Sequence, residues 1–127
     1  MIGGAGIVAG KFDFGKREYE SKCAVCHGKS GKGNGPYTIV LVTKIADLTT
    51  LSKRNNGVFP FARVQEIIDG RQVVKAHGPR DVPIWGTDYL MEARESYSYI
   101  DVPYDPEAYV RTRILALTEY IHRLQAK

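Results

Sequence analysis

The sequence predicts an all-α domain, and three features of the chain lead to that expectation. Pro106 stands at a first helical position, and the segment after it has apolar residues at spacings of three and four: Val110, Ile114, Leu117, Ile121 and Leu124. This is the pattern of an amphipathic helix of about twenty residues. A first helix is predicted from Phe14 to Val25, because Gly15, Tyr19 and Cys23 recur at intervals of four and so share one face. Little of the chain between these two helices follows a strand pattern.

Shorter elements are predicted between the two long helices. Phe61 to Asp69 is expected to be a short helix, with Pro60 before it and Gly70 as its stop. Residues 28–36 read GKSGKGNGP and must form a loop, because four glycines and a proline fall within nine positions.

Two other segments are less regular. The β-branched residues of Ile39 to Val42 predict a strand or an extended segment, and Ala76 to Gly86 is expected to be irregular. A helical stretch containing Met91 follows. The loops are long for so small a core, so we expect a further component to fill the centre of the domain.

Composition limits the class of protein. The 127 residues are 43% hydrophobic and 25% charged, with a formal net charge of +4, as expected for one globular domain over residues 1–127. Residues 1–12 are predicted to be a loose N-terminal segment. No apolar run approaches the ~20 residues that span a bilayer, and two cysteines cannot build a disulfide scaffold. We therefore predict no membrane span.

Basic side chains are in excess in the first half of the chain, but they are scattered and little interleaved with aromatic residues. This arrangement does not favour nucleic-acid binding. The first ten residues, MIGGAGIVAG, lack the basic region that opens a secretory signal. A signal peptide is therefore not visible in this chain, which leaves the compartment open at this point.

One motif indicates chemistry. Cys23-Ala24-Val25-Cys26-His27 is the attachment signature of a c-type haem. Two thiols about one helical turn apart can reach the two vinyl groups of a porphyrin, and the next residue then lies beneath the ring. We expect Cys23 and Cys26 to form thioethers with one covalent haem c, and His27 to be the proximal ligand of its iron.

Three other kinds of site share part of this pattern, and the sequence favours none of them. A redox dithiol also uses Cys-x-x-Cys, but it is typical of a βαβ context rather than the end of a helix. Zinc needs four ligands, and beyond the motif only the isolated His77 and His122 remain. The segment from Gly28 to Ser30 matches the end of a phosphate-binding loop, but Cys23 occupies the position of its first glycine.

The wider sequence resembles a bacterial class I cytochrome c from Phe14 to Gln125. The resemblance is carried, in order, by Gly15 and Tyr19, CAVCH, GKGNGP, ADLT, FP, IIDGR, HGPRDVPIWG and ILALTEYIHRLQ. It implies an all-α fold in which the N- and C-terminal helices cross around a covalent haem, with Gly15 and Tyr19 against the face of Leu117 and Tyr120. It also implies an electron carrier of the periplasm.

The resemblance also implies roles for single residues. The carbonyl of Pro36 would accept a hydrogen bond from the His27 ring, as outer partners of metal ligands generally do. Trp85 and Arg71 would hydrogen-bond or neutralise a haem propionate. A buried indole N–H usually finds a partner in any case, so Trp85 is equally readable as a core anchor.

The distal side departs from the family pattern. The segment Asp81 to Gly86 reads DVPIWG, so Val82 stands where the resemblance places the methionine that binds the iron, and valine has no donor atom. Three readings stay open: an open or water-occupied sixth position, His77 as the ligand, or Met91.

The function expected from the sequence is therefore one-electron transfer rather than enzymatic catalysis. The partner would be a redox protein, an acidic one if the basic front half steers it. An open sixth position leaves alternatives: a haem protein that binds NO or CO as a sensor or scavenger, peroxidase-like side activity, or a haem subunit of a larger redox complex. The potential, the redox partner and the oligomeric state cannot be read from this sequence, nor can it be told whether Val82 is natural or engineered.

Overall fold

In a computed structural model, residues 12–40, 45–71, 84–97 and 105–126 are described, and over these residues the fold is helical. Five α-helices appear: α1 (Phe14–Lys22), α2 (Ala24–His27), α3 (Phe61–Asp69), α4 (Trp85–Tyr97) and α5 (Pro106–Arg123). Short 3-10 helices span Pro36–Val40, Leu48–Thr50 and Lys53–Asn55. The predicted all-α fold class is confirmed.

The predicted elements differ from the observed ones mainly at their ends. The helix Phe61–Asp69 is confirmed, and Gly70 ends it in a left-handed conformation. The predicted first helix is interrupted at Cys23, which caps both α1 and α2. The expected strand or extended segment from Ile39 is wrong over its described part, because residues 36–40 form a 3-10 helix; residues 41–44 lie outside the described residues.

The first and last long helices cross at Gly15, as the resemblance implied. A Cβ added to Gly15 would come within 2.7 Å of the Ala116 carbonyl oxygen and 3.2 Å of the Tyr120 Cβ. A glycine is therefore required for this close approach of the two helices. One turn later, the ring centroids of Tyr19 and Tyr120 lie 5.1 Å apart with the ring planes tilted by 43°, an aromatic contact that extends the interface.

The core lies where α1, α3, α4 and α5 meet. Its fully buried large side chains are Tyr19, Tyr89, Val110, Leu117 and Thr118. The helical periodicity of the C-terminal segment is confirmed, since its residues at three-four spacing are buried: Val110, Ile114, Leu117 and Ile121. No described helix combines the length and the apolar composition that crossing a membrane requires.

Candidate haem-attachment site

The CAVCH motif forms a single tight helical turn. The backbone N–H of Cys26 donates to the Cys23 carbonyl over 3.2 Å, and the N–H of His27 donates to the same oxygen over 2.9 Å. This turn places the two cysteines on one side of α2, as attachment to two points of one flat ring requires. Both cysteines are free and partly exposed.

The titration behaviour of Cys23 argues against a redox dithiol. Burial is the largest effect on this thiol and raises its pKa to about 12. Reactive cysteines have a lowered pKa because the thiolate is the nucleophile. The surroundings of Cys23 therefore lack the lowered thiol pKa that is typical of a disulfide-exchange site.

The His27 ring is oriented by a backbone carbonyl. Its Nδ1 lies 3.0 Å from the carbonyl oxygen of Ala46. A carbonyl can only accept a hydrogen bond, so Nδ1 carries the proton and Nε2 keeps the lone pair that an iron ligand needs. Burial lowers the pKa of His27 more than this bond raises it, which favours the neutral imidazole that binds a metal.

The structure pairs this ring with a different carbonyl from that of Pro36, which the resemblance implied. Pro36 is exposed and begins a 3-10 helix, while the carbonyl that His27 reaches lies ten residues further along the chain, at Ala46. Sequence reasoning included Ala46 in the ADLT segment but gave it no role. Any residue type offers a carbonyl, so only the path of the backbone identifies which one faces the ring.

Long-range contacts hold the ADLT segment against the motif loop. The N–H of Leu48 donates to the Gly31 carbonyl over 2.6 Å. From the C-terminus, the Gln125 amide nitrogen donates to the Leu48 carbonyl over 2.6 Å, and the N–H of Ala126 donates to the Thr49 carbonyl over 2.8 Å. The segment that contains Ala46 is therefore held by both the loop after the motif and the residues that follow α5.

The loop after the motif folds back onto α2. The N–H of Gly33 donates to the His27 carbonyl over 2.7 Å, and that of Gly35 donates to the Cys26 carbonyl over 2.9 Å. A Cβ on Gly35 would collide with the carbonyl oxygens of Ala24 and Val25, so a glycine is needed there for this approach. Tyr19 adds a buried hydrogen bond, donating its hydroxyl to the Gly28 carbonyl over 2.8 Å.

The two residues expected near a haem propionate have different surroundings. Trp85 begins α4 and packs against the core, which agrees with the core-anchor reading. Arg71 is occupied by protein carboxylates: it lies 2.6 Å from Asp69 and 2.9 Å from Glu107. Since these bonds join the end of α3 to the start of α5, the surroundings of Arg71 indicate a structural link rather than a free propionate partner.

Only some of the residues considered for the sixth iron position are among the described residues. Met91 lies in the helical stretch that was predicted for it, but its side chain is 62% exposed on α4. Val82 and His77 lie outside the described residues. Within the described ranges, no group of three or more His, Cys, Asp or Glu side chains could hold a metal ion, so the zinc reading gains no support there.

Comparison with known families decides the assignment. The family model described as Cytochrome c matches residues 12–95, about two thirds of the chain and all of the attachment site. The chain belongs to the cytochrome c family. No curated protein and no solved structure gives a significant match to it.

Family membership fits the residues present. The family implies a haem c bound covalently through two cysteines. In this cytochrome c, Cys23 and Cys26 are free thiols one helical turn apart. His27 follows them directly, and its Nε2 is available because Nδ1 contacts the Ala46 carbonyl. The protein is therefore a haem-binding electron-transfer protein.

Proposed function

We propose that this cytochrome c is a one-electron carrier of the bacterial periplasm, with His27 binding the haem iron through Nε2. The observation that carries this proposal is the 3.0 Å contact between His27 Nδ1 and the Ala46 carbonyl. That contact fixes the tautomer and the ring orientation, which is what partners of metal-binding histidines do. When bound, the haem supplies an iron that accepts and returns one electron.

The first experiment tests covalent attachment. Thioethers survive denaturation, so haem should stay with the chain after acid–acetone extraction and should stain in a denaturing gel. Replacing both Cys23 and Cys26 by Ala should abolish the stained band, whereas Val25→Ala, a change between the two cysteines, should keep it. Free extraction of haem from the unmutated protein would overturn the proposal.

A second candidate function is supported on the distal side. Val82 has no atom that can bind iron, and Met91 points its largely exposed side chain away from the core. We therefore propose an open or water-occupied sixth position, which would let the ferrous protein bind CO or NO. A ferrous spectrum that is the same with and without CO would instead indicate a strong internal ligand, with His77 the first to be tested by His77→Ala.

Val82→Met tests the same position by adding a side chain that can bind the iron. Methionine is flexible and fills irregular space well, so the thioether should occupy the place that the family pattern provides. Because a methionine ligand raises the reduction potential, the variant should have a higher potential and slower or weaker CO binding than the unmutated protein. A variant that keeps the original spectrum and potential would show that another residue binds the iron.

The surface beside the attachment site supports docking of an acidic redox partner. Val25, within the motif, is 46% exposed, and Tyr37 is 52% exposed just beyond Gly35, whose N–H binds the motif. Lys29 and Lys32 are exposed in the loop between them. Exposed apolar residues with exposed lysines between them in the chain are suited to a short-lived encounter with an acidic protein surface.

Docking is tested by the salt dependence of electron transfer. With an acidic redox protein as the partner, the second-order rate should fall as ionic strength rises, and Lys29→Glu with Lys32→Glu should lower it further at low salt. Arg111→Glu, an exposed basic residue of α5, is the matched control and should have a smaller effect. A rate that is independent of salt would remove the docking proposal while leaving haem attachment untouched.

The compartment is tested separately. Cytochrome c domains in bacteria are typically periplasmic or extracellular, and covalent attachment of haem fits such a location. Fractionation of the native cells should recover the haem-stained band with periplasmic markers. Recovery with cytoplasmic markers would overturn the periplasmic assignment without affecting the haem site.

A further inference from the structure

A buried charged cluster lies next to the attachment site and has no part in attachment or iron binding. At its centre is Glu18, which is 3% exposed. Its carboxylate accepts a hydrogen bond from the Tyr89 hydroxyl of α4 over 2.8 Å and lies 3.7 Å from the Lys22 ammonium. A carboxylate so far from water keeps its charge only where such partners replace hydration.

Lys22 connects the cluster to α4 and, through it, to α5. Its ammonium lies 3.9 Å from a Glu92 oxygen and 5.1 Å from the centre of the Tyr89 ring. Glu92 in turn accepts a hydrogen bond from the Tyr109 hydroxyl of α5 over 2.9 Å. Arg17, largely exposed, lies 3.7 Å from the other Glu18 oxygen. The charged groups around Glu18 thus come from α1 and α4, with Tyr109 reaching them through Glu92.

The cluster adjoins Cys23, which directly follows Lys22 in the chain. The backbone N–H of Cys23 donates to the carbonyl of Tyr19, the residue after Glu18, over 2.8 Å, and the Cys23 side chain packs against the same core cluster as Tyr89. The sulfur of Cys23 is one of the two atoms through which haem would be attached. A charge beside Cys23 is therefore also close to the porphyrin bonded to that sulfur.

We propose that Glu18, held by Tyr89 and Lys22, lowers the reduction potential of the haem attached at Cys23. Reduction adds one negative charge to the haem, and a buried carboxylate nearby makes that addition less favourable. Water and salt screen exposed charges but screen buried ones much less. Lys22 opposes the carboxylate, so the two residues should shift the potential in opposite directions. The proposal rests on the proposed haem attachment at Cys23.

The test measures reduction potentials of the haem-loaded protein. Glu18→Gln removes the charge but keeps an oxygen for the Tyr89 hydroxyl. At a fixed applied potential, the ratio of reduced to oxidised protein should rise by on the order of tenfold, because a buried unit charge is only weakly screened by water and salt. For a one-electron couple, tenfold corresponds to about 59 mV.

Two further variants make the result specific. Glu20→Gln makes the same charge change on an exposed residue of α1 and should alter the ratio by less than about twofold, an effect that salt removes. Lys22→Met should shift the potential downward and also tests the proposal if Glu18→Gln does not fold. Unfolding curves and visible spectra of each variant show whether the fold and the iron coordination are preserved.

The outcomes separate this inference from the proposed function. Covalent haem in every variant, with Glu18→Gln no different from Glu20→Gln, would overturn the inference and leave haem attachment intact. An unmutated protein that releases its haem on extraction would overturn both. An upward shift for Glu18→Gln, a downward shift for Lys22→Met and little change for Glu20→Gln would support the inference.

Discussion

The two ends of α1 each pair an acidic residue with a basic one, but in different surroundings. At the N-terminal end, Asp13 lies 2.8 and 2.9 Å from two nitrogens of Arg123, and both side chains are partly exposed. Towards the C-terminal end, the buried Glu18 in the middle of α1 has an oxygen 3.7 Å from Lys22, the last residue of the helix. The exposed pair has the shorter nitrogen–oxygen distances, and the buried pair lies in surroundings of lower dielectric constant.

This difference shows that the distances alone do not decide which pair contributes more to the stability of the protein. Water can replace the partners of Asp13 when Arg123 is lost, so the exposed pair contributes little net free energy. Water cannot replace the partners of Glu18, so loss of one member leaves a buried polar group unsatisfied. We expect the buried end to matter more for the haem and the exposed end to matter mainly for pH-dependent stability.

The largest effect on stability is expected at the crossing of α1 and α5. Gly15→Val would push a branched side chain against the Ala116 carbonyl, which the glycine approaches too closely for any Cβ. The free energy of unfolding should fall by about 3 kcal/mol. Chemical denaturation checks this, with Glu20→Val on the exposed side of the same helix as the control; equal losses would mean that the crossing is not tightly packed.

Truncation of the buried carboxylate is expected to cause the second-largest loss of stability. Glu18→Ala removes the acceptor of the Tyr89 hydroxyl and one partner of Lys22, although Glu92 remains near Lys22. An unsatisfied buried donor costs about 2 kcal/mol, and denaturant unfolding should show a loss of that size. A loss no larger than that of Asp13→Ala would contradict the contrast between the two ends.

The exposed end provides a smaller effect through its helix cap. Asp13 accepts a hydrogen bond from the Lys16 N–H and so caps the first turn of α1. Asp13→Ala removes this cap together with the Arg123 pair and should cost about 1 kcal/mol. Asp13→Asn keeps a good cap and removes only the charge, so in urea unfolding at neutral pH it should lose less than Asp13→Ala.

The smallest effect is the pH dependence of the exposed pair. The Arg123 hydrogen bonds, followed by the Lys16 backbone bond, lower the pKa of Asp13 from 3.8 to about 2. A lowered pKa in the folded state means that the stabilisation is present above pH 3.8 and is lost as the pH falls towards 2. The stability difference between the unmutated protein and Asp13→Asn should shrink over this range; a constant difference would show that the charge is not responsible.

Many of the helices were predictable from the sequence because they depend on local patterns of residues. The three-four spacing of apolar residues predicted the buried face of α5, and Pro60 with Gly70 bounded α3 correctly. The grouping of Cys23, Cys26 and His27 was predictable for the same reason, since they are adjacent in the chain and one helical turn brings them together. The break between α1 and α2 at Cys23 was not predicted, because the apolar spacing continues through it.

The sequence by itself determined that this is a helical protein with a haem-attachment motif, because helix periodicity and a five-residue motif are local properties. Only the tertiary structure decided that the Ala46 carbonyl, rather than that of Pro36, orients His27, and that Arg71 binds Asp69 and Glu107. Every residue has a carbonyl, and an arginine can pair with any carboxylate, so residue type does not specify these partners. Long-range packing brings one of many equivalent groups within hydrogen-bonding distance, and that choice is a property of the folded chain.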